Sequence, residues 1–307
     1  MSTRSAPPVT AVVPTHDRPE LMRRAVQSIL DQEYDGDVEV IVVFDACEPL
    51  LPELAVGAGR TLRGAVNERS RGLAGARNTG ILGASHELVA FLDDDDVWLP
   101  GKLATQVGAI EANPEASLVG TAMIVDDGSR EHERLVGSDR VTHDMLLHDR
   151  LAGLHSSSFL FRRSALLGEI GLIDEELPRS YGEDYDILLR ASRVCDVHVV
   201  DRPFVRVTWQ GQSYFFGRWN DYADALEYLL AKHPGFGRSG RAIGRIESQI
   251  AFARVSADRQ KDGARWARRS LRHSPTQVKS YLALLIAAKL VTPRQVTRVA
   301  ARFGRGI

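Results

Sequence analysis

Cysteine is scarce in this chain. Cys47 and Cys195 are the only two among 307 residues, each inside an apolar stretch, so buried free thiols in a reducing compartment are expected rather than a disulfide framework. Long hydrophobic runs are lacking as well. The longest in the C-terminal part, from Tyr281 to Ala288, falls far short of the roughly 20 apolar residues a membrane-crossing helix takes. Met1 to Pro8 holds no apolar core of the kind a secretory signal needs. A cytoplasmic location is therefore expected. Net charge is nearly missing too, at −1, but only because two opposite excesses cancel. Ala231 to Ile307 carries 17 Lys and Arg against 3 Asp and Glu, about +14, which leaves 22 against 37, about −15, for Met1 to Leu230.

What the chain does have is an apolar run, Leu88-Val89-Ala90-Phe91-Leu92, that passes without a spacer into Asp93-Asp94-Asp95-Asp96 and then Val97-Trp98-Leu99-Pro100. The aliphatic stretch predicts a buried strand, which puts the acids at its carboxyl end, where open α/β sheets bind ligands. An extended chain alternates its side chains, so Asp93 and Asp95 are expected on one face and Asp94 and Asp96 on the other. Two carboxylates about 4 Å apart repel by roughly 4 kcal/mol at an effective dielectric near 20, a cost that protons, water or a cation must offset. Magnesium or manganese would do so, taking one or two carboxylates and completing its shell with water and phosphate oxygens. The plain alternative is a solvated acidic turn.

The rest of the chain alternates strand and helix. Val9 to Pro14 reads as a first strand, followed by the polar loop Thr15-His16-Asp17-Arg18 and a helix opened by Pro19, with Leu21, Met22, Ala25, Val26, Ile29 and Leu30 forming its core stripe. Val38 to Phe44 is a second strand ending in Asp45, a residue that serves as a turn cap or as a ligand contact. After a weak strand over Thr61 to Val66, Gly72 opens a helix of small residues from which Arg77 could reach a phosphate, while Gly75 and Ala76 equally suit tight helix-to-sheet packing. Further strands are expected over Ser117 to Val125, Ser156 to Phe161 and Val197 to Val207, and helices from Leu99-Pro100 and over Arg163 to Gly171. His155, a lone histidine beside a strand, is read as structural. Asp126 to Leu151 is charged surface beside an acceptor cleft. A second acidic cluster, Glu183-Asp184 before Asp186-Ile187-Leu188-Leu189, sits where a helix N-terminus favours carboxylates. The glycine and aromatic segment Trp209 to Trp219 either closes a lid or seats the tail.

The fold class expected is α/β: a mainly parallel twisted sheet flanked by helices, Rossmann-like, over residues 1–219, with an all-α, basic appendage over 220–307.

Five of these stretches, in this order, resemble the family-2 glycosyltransferases with the GT-A fold, over Val9 to about Ser213: Val12-Val13-Pro14-Thr15-His16-Asp17-Arg18-Pro19, Asp45, Gly72 to Gly80, Phe91 to Trp98, and Glu183-Asp184-Tyr185-Asp186. The resemblance implies an inverting, metal-dependent transfer from a nucleotide-diphosphate sugar, commonly UDP-linked, in surface polysaccharide or glycoconjugate synthesis. It implies that Pro14, Thr15 and Asp45 hold the nucleobase and that Arg18 and Arg77 neighbour the diphosphate, with Gly72 in the same binding loop. Asp93 and Asp94 then lie near the ribose, Asp95, with Asp93, holds Mn2+ or Mg2+, and Asp184, with Glu183 beside it, is the catalytic base. Relatives often carry a histidine metal ligand after the last strand; this chain has Thr208 there. A saccharide or lipid-linked acceptor is expected, and no nucleic-acid partner. The basic tail lies outside the resemblance and has three candidate partners: an anionic membrane at its inner face, the acidic catalytic domain, or a second copy in a homodimer. Two rival readings remain, a nucleotidyltransferase, which would need a glycine-rich basic loop that Pro14 to Arg18 lacks, and a catalytically silent carbohydrate- or partner-binding protein on the same fold.

Overall fold

The computed structural model describes residues 6–209 and 217–302, with side chains up to 298. Gln210 to Phe216, most of the glycine and aromatic segment, thus lies outside the described residues. The chain forms two compact units. One takes the chain up to Leu146, Arg150–Glu175 and the stretch from Glu183 through the last strand; the other takes Leu147–Asp149, Glu176–Gly182 and the helices that follow.

The first unit is built on one ten-stranded sheet. Its strands are β1 (Val9–Thr15), β2 (Val38–Phe44), β3 (Arg60–Val66), β4 (Leu88–Phe91), β5 (Val97–Trp98), β6 (Leu118–Asp126), β7 (Glu131–Arg134), β8 (Arg140–Val141), β9 (Leu160–Arg162) and β10 (Val197–Thr208). The helices along this part of the chain are α1 (Pro19–Leu30), α2 (Leu73–Gly83), α3 (Lys102–Ala112), α4 (His143–His148), α5 (Arg163–Leu167) and α6 (Glu183–Val194). The main path runs β3-β2-β1-β4-β9-β6-β10-β5, with β7 on β6 and β8 on β10. The sheet is mixed: β3-β2-β1-β4 and β6-β10 pair in parallel, whereas β9 runs antiparallel between β4 and β6, and β5, β7 and β8 pair antiparallel.

Both β1 and β2 are buried at every position, as parallel strands covered on two faces must be. In their register Thr15 lies opposite Phe44, while Val12 of β1 lies opposite Phe91 of β4. The carboxyl ends of three adjacent strands therefore deliver the loop after Thr15, Asp45 and the four-acid run to one edge of the sheet. Helix α1 starts at Pro19 and buries Met22, Ala25, Val26 and Ile29, the stripe its sequence predicts. These residues join Val9, Val13, Val40, Val42, Ala90, Leu92, Trp98, Leu103 and Val107 in one core.

Two local expectations change. Ser156 to Phe161 is not one strand: Ser156–Ser158 is a 3-10 turn, in which Ser158 Oγ donates to the carbonyl of His155 at 2.7 Å, and only Leu160–Arg162 is extended. Short hydroxyl side chains compete for the backbone in this way. The helix after Arg163 ends at Leu167, because Gly168 leaves helical geometry with φ −121° and ψ −106°.

The second unit contains α7 (Trp219–Lys232), α8 (Gly240–Ser256), α9 (Gln260–His273), α10 (Val278–Ala287) and α11 (Pro293–Arg302). Its core gathers Ala251, Phe252, Val255, Ala267, Ala283 and Ile286, with Trp219 and Trp266 packed against it. Arg254 is 4% exposed and paired with Asp224 at 2.5 Å and Glu227 at 2.7 Å, so its charge is neutralised where it is buried.

Candidate active site

The four acids after β4 do not continue as a strand. The amide of Asp96 donates to the carbonyl of Asp93 at 3.1 Å, closing a turn. The expected alternation of faces is therefore replaced by a different division. Asp94 and Asp95 meet the loop after β1: Thr15 Oγ1 donates to Asp94 at 2.8 Å, and Arg18 reaches Asp94 at 3.2 Å and Asp95 at 3.0 Å. Asp93 and Asp96 turn toward the serine turn: Ser156 Oγ donates to Asp93 at 3.1 Å, Ser157 Oγ to Asp96 at 2.6 Å, and the backbone amide of Thr208 to Asp96 at 3.2 Å.

Arg77 projects from α2 and is 1% exposed. Its guanidinium donates to Asp93 at 2.5 Å, to Ser156 at 2.9 Å and, in a short contact, to Glu183. It thereby ties the first acidic cluster to the second. Sequence analysis brought it to the diphosphate; in the structure its charge is directed onto the two acids. Burial alone would raise Asp93, but the nearby charges of Arg77 and His155 outweigh it and hold the carboxyl below its usual value. Asp94, Asp95 and Asp96 are all raised. Burial is the main cause for each, and for Asp95 repulsion from Asp93 and Asp94 comes next. Burial also raises Glu183, to about 7, against the pull of Arg77 and with a further push from Asp184.

Glu183 and Asp184 open α6, 6% and 8% exposed. One Asp184 oxygen accepts the amide of Tyr185 at 2.7 Å, and the other pairs with Arg150. Asp45 has both oxygens engaged, accepting from Asn67 Nδ2 at 2.7 Å and from the amide of Gly72 at 2.9 Å, so it fastens the end of β2 to the mouth of α2. Gly72 sits there at φ +118°, a conformation that side chains avoid. Pro14 lies in β1 opposite Val43. Sequence reasoning missed Arg150, Ser156 and Ser157. Arg150 lay in a charged stretch with no pattern to single it out, and the serines read as strand.

Among the described residues, Asp93, Asp96 and His155 bring ligand atoms within 4.8 Å of one another. Two carboxylates and an imidazole suit a divalent ion such as manganese. Asp96, however, is 2% exposed and already accepts from Ser157 and Thr208. Asp95, whose side chain is 39% exposed, is the open carboxylate of the turn. A turn of four acids with Arg18 as the cation of its open side fits a bound divalent ion, which would relieve the repulsion from Asp93 and Asp94 that adds to the effect of burial on Asp95.

Comparison with known proteins agrees with this architecture. The family model for glycosyl transferase family 2 matches residues 10–168. The chain is 26% identical over 139 residues to the Escherichia coli UDP-Glc:alpha-D-GlcNAc-diphosphoundecaprenol beta-1,3-glucosyltransferase WfgD, covering 45% of this chain and 54% of that protein. It is 29% identical over 182 residues to the amylovoran biosynthesis glycosyltransferase AmsE of Erwinia amylovora, covering 57% and 65%. The chain thus spans between about half and two thirds of these curated relatives. Among solved structures, S. aureus TarS 1–349 in complex with UDP-GlcNAc superposes with a TM-score of 0.64 at 16% identity, covering 97% of this chain and 92% of that one. The mannosyltransferase PcManGT from Pyrobaculum calidifontis, in complex with GDP-Man and Mn2+, gives 0.52 at 17% identity, covering 96% and 83%. These structural matches share the fold, a mixed sheet flanked by helices as in GT-A proteins, and on the family model, which takes in the strand ends that carry the acidic turn, this chain belongs to glycosyl transferase family 2.

Proposed function

We propose that the chain is an inverting glycosyltransferase that moves a sugar from a UDP-linked donor to an acceptor hydroxyl during polysaccharide or glycoconjugate synthesis. The observation that carries this reading is the bridge made by Arg77, which holds the turn acid Asp93 and the helix-opening acid Glu183 on one buried cation. That bridge holds the acidic turn next to the acids that open α6.

In this reading Asp184 takes the proton from the acceptor hydroxyl as its oxygen attacks the anomeric carbon on the face opposite the leaving diphosphate. General-base help of this kind contributes about 10²- to 10⁴-fold. Glu183 and Arg77 position Asp184 and Asp93 rather than touching substrate. Asp95, on the open side of the turn, with Asp93 on its other side, would hold Mn2+ or Mg2+, which when bound would supply Lewis-acid stabilisation to the departing diphosphate. Thr15, Arg18, Asp94, Asp45, Pro14 and Gly72 line the nucleotide side, with Asp45 still able to accept from a base because a carboxylate has about four lone-pair sites and uses two here.

Residues 1–219 form the catalytic domain in this proposal and 220–307 the helical appendage, working in the cytoplasm. The donor is assigned to UDP because WfgD uses UDP-Glc and TarS was crystallised with UDP-GlcNAc. A lipid-linked acceptor is the counterpart of the diphosphoundecaprenol substrate in the name of WfgD. A screen of UDP-, GDP-, dTDP- and ADP-sugars for binding and hydrolysis, with manganese and with magnesium, tests the reading. UDP-sugar binding that disappears with EDTA is expected; a preference for GDP-sugars would reassign the base, and no nucleotide-sugar binding at all would overturn the proposal.

A further inference from the structure

After Asp262 the chain carries ten Lys and Arg and no Asp or Glu. Within that span α10 reverses the usual arrangement of a surface helix. Its inner side buries Ser280, Ala283 and Ile286. Its outer side presents Val278 at 68% exposure, Tyr281 at 48% and Leu285 at 40%. These positions follow one another at i, i+3 and i+7, so they form a single stripe, and the exposed Lys289 follows just after the helix ends at Ala287. Leu290, just beyond the helix, is 71% exposed. On α11, Arg294 and Arg298 are four residues apart and both exposed.

A helix on a water-facing surface places polar residues outward. Here the outward stripe is apolar and the charges around it are of one sign. We propose that this face of the second unit docks on an anionic lipid bilayer, with Tyr281, Leu285 and Leu290 entering the headgroup boundary and Lys289, Arg294 and Arg298 meeting lipid phosphates. Tyrosine favours that boundary, where its ring is in the apolar layer and its hydroxyl stays wet. Charge complementarity alone would suit any polyanion. The exposed apolar stripe is what selects a lipid surface, since a soluble polyanion offers nothing in which to bury it. The contact proposed for this face is peripheral, and no helix among the described residues is long and apolar enough to cross a membrane. The inference concerns attachment only and is independent of which sugar is transferred.

Co-sedimentation of the full chain with vesicles of phosphatidylcholine alone, and of phosphatidylcholine mixed with phosphatidylglycerol, tests it. Binding to the mixed vesicles and not to the neutral ones is expected, weakening as salt is raised. Arg294→Glu with Arg298→Glu should reduce binding by at least about tenfold, as each basic residue near an acidic bilayer contributes about fivefold in affinity. Leu285→Ser with Leu290→Ser should reduce it comparably while leaving binding to soluble polyphosphate unchanged, because no charge is altered. Both residues are exposed, so the pairs should fold, and circular dichroism melts check that they do. Failure to bind mixed vesicles at low salt overturns the proposal, as does vesicle binding that ignores the leucine pair, which would mark a site for polyanions instead.

Discussion

Arg150 and Asp184 form an ion pair in which the guanidinium takes the Asp184 oxygen left over once the other has accepted the amide of Tyr185 at 2.7 Å. If Asp184 is the base, an acceptor hydroxyl approaching that oxygen requires Arg150 to share or yield its place. Asp184→Asn keeps the shape and the bond to the Tyr185 amide but removes the carboxylate that would act as base. Turnover should fall by about 10²- to 10⁴-fold while the dissociation constant for the nucleotide sugar stays near its original value. Arg150→Gln leaves a carboxylate in place and should cost less turnover than Asp184→Asn. A reversed order, measured by steady-state kinetics, would move the essential role to the arginine.

The proposed cation site can be tested by comparing two substitutions. Asp95 is the open carboxylate of the turn, whereas His155 belongs to the buried set with Asp93 and Asp96. If the ion is held from the open side, Asp95→Asn should abolish manganese-dependent donor binding in calorimetry, and His155→Ala should retain it. Loss of metal dependence in His155→Ala alone would assign the ion to the buried set. Neither change should unfold the protein, since the side chains of Asp95 and His155 keep 39% and 26% of their surface in water.

Activity should respond to pH near neutrality through Glu183. Burial raises this carboxyl to about 7, with Arg77 opposing and Asp184 adding to the rise. It is therefore neutral below that pH and ionised above it. Ionisation adds negative charge beside Asp184, which favours taking a proton from the acceptor, so turnover should increase as pH climbs through about 7. Glu183→Gln cannot ionise, and its pH–rate profile should lack that rise. A rise that persists in the variant would show that another group titrates there.

The parts of the site that were legible in sequence are those carried by strand ends. The runs before Thr15, Asp45 and Asp93 are apolar enough to fix three adjacent parallel strands, and strand ends in such a sheet point to one edge. Glu183 and Asp184 were legible for a similar reason, as acids opening an amphipathic helix. What could not be read was how side chains pair once the backbone turns. A run of four Asp has the same letters whether it continues as a strand or closes on itself, and the bond from Asp96 to Asp93 is what divides the acids into two pairs. Arg77 showed the same limit. Its position on α2 was predicted, but two buried acids converging from distant parts of the chain drew its charge inward. The antiparallel strands β5, β7 and β8 are two to four residues long, too short for hydrophobic periodicity to reveal.

The small residues of α2 give a last prediction, because close approach and not phosphate contact accounts for two of its glycines. A Cβ on Gly80 would stand 2.2 Å from Cγ1 of Val12 in β1, and one on Gly75 would stand 1.9 Å from the carbonyl oxygen of Ser70. Gly80 lets the helix rest on the strand that leads to Thr15, and Gly75 lets the preceding loop fold over the helix start. Alanine at either position should therefore destabilise the protein, by about 1–3 kcal/mol for an overpacked site. Gly108, in the interior of α3, is exposed and its added Cβ would meet nothing within 4 Å. Alanine there should instead stabilise by about 0.5–1 kcal/mol, because it lowers the entropy cost of the helix. Thermal melts of the three variants should thus move in opposite directions. A Gly80→Ala melt no lower than that of the parent would mean that β1 and α2 have room to separate, and the fixed distance between the strand end and Arg77 would lose its support.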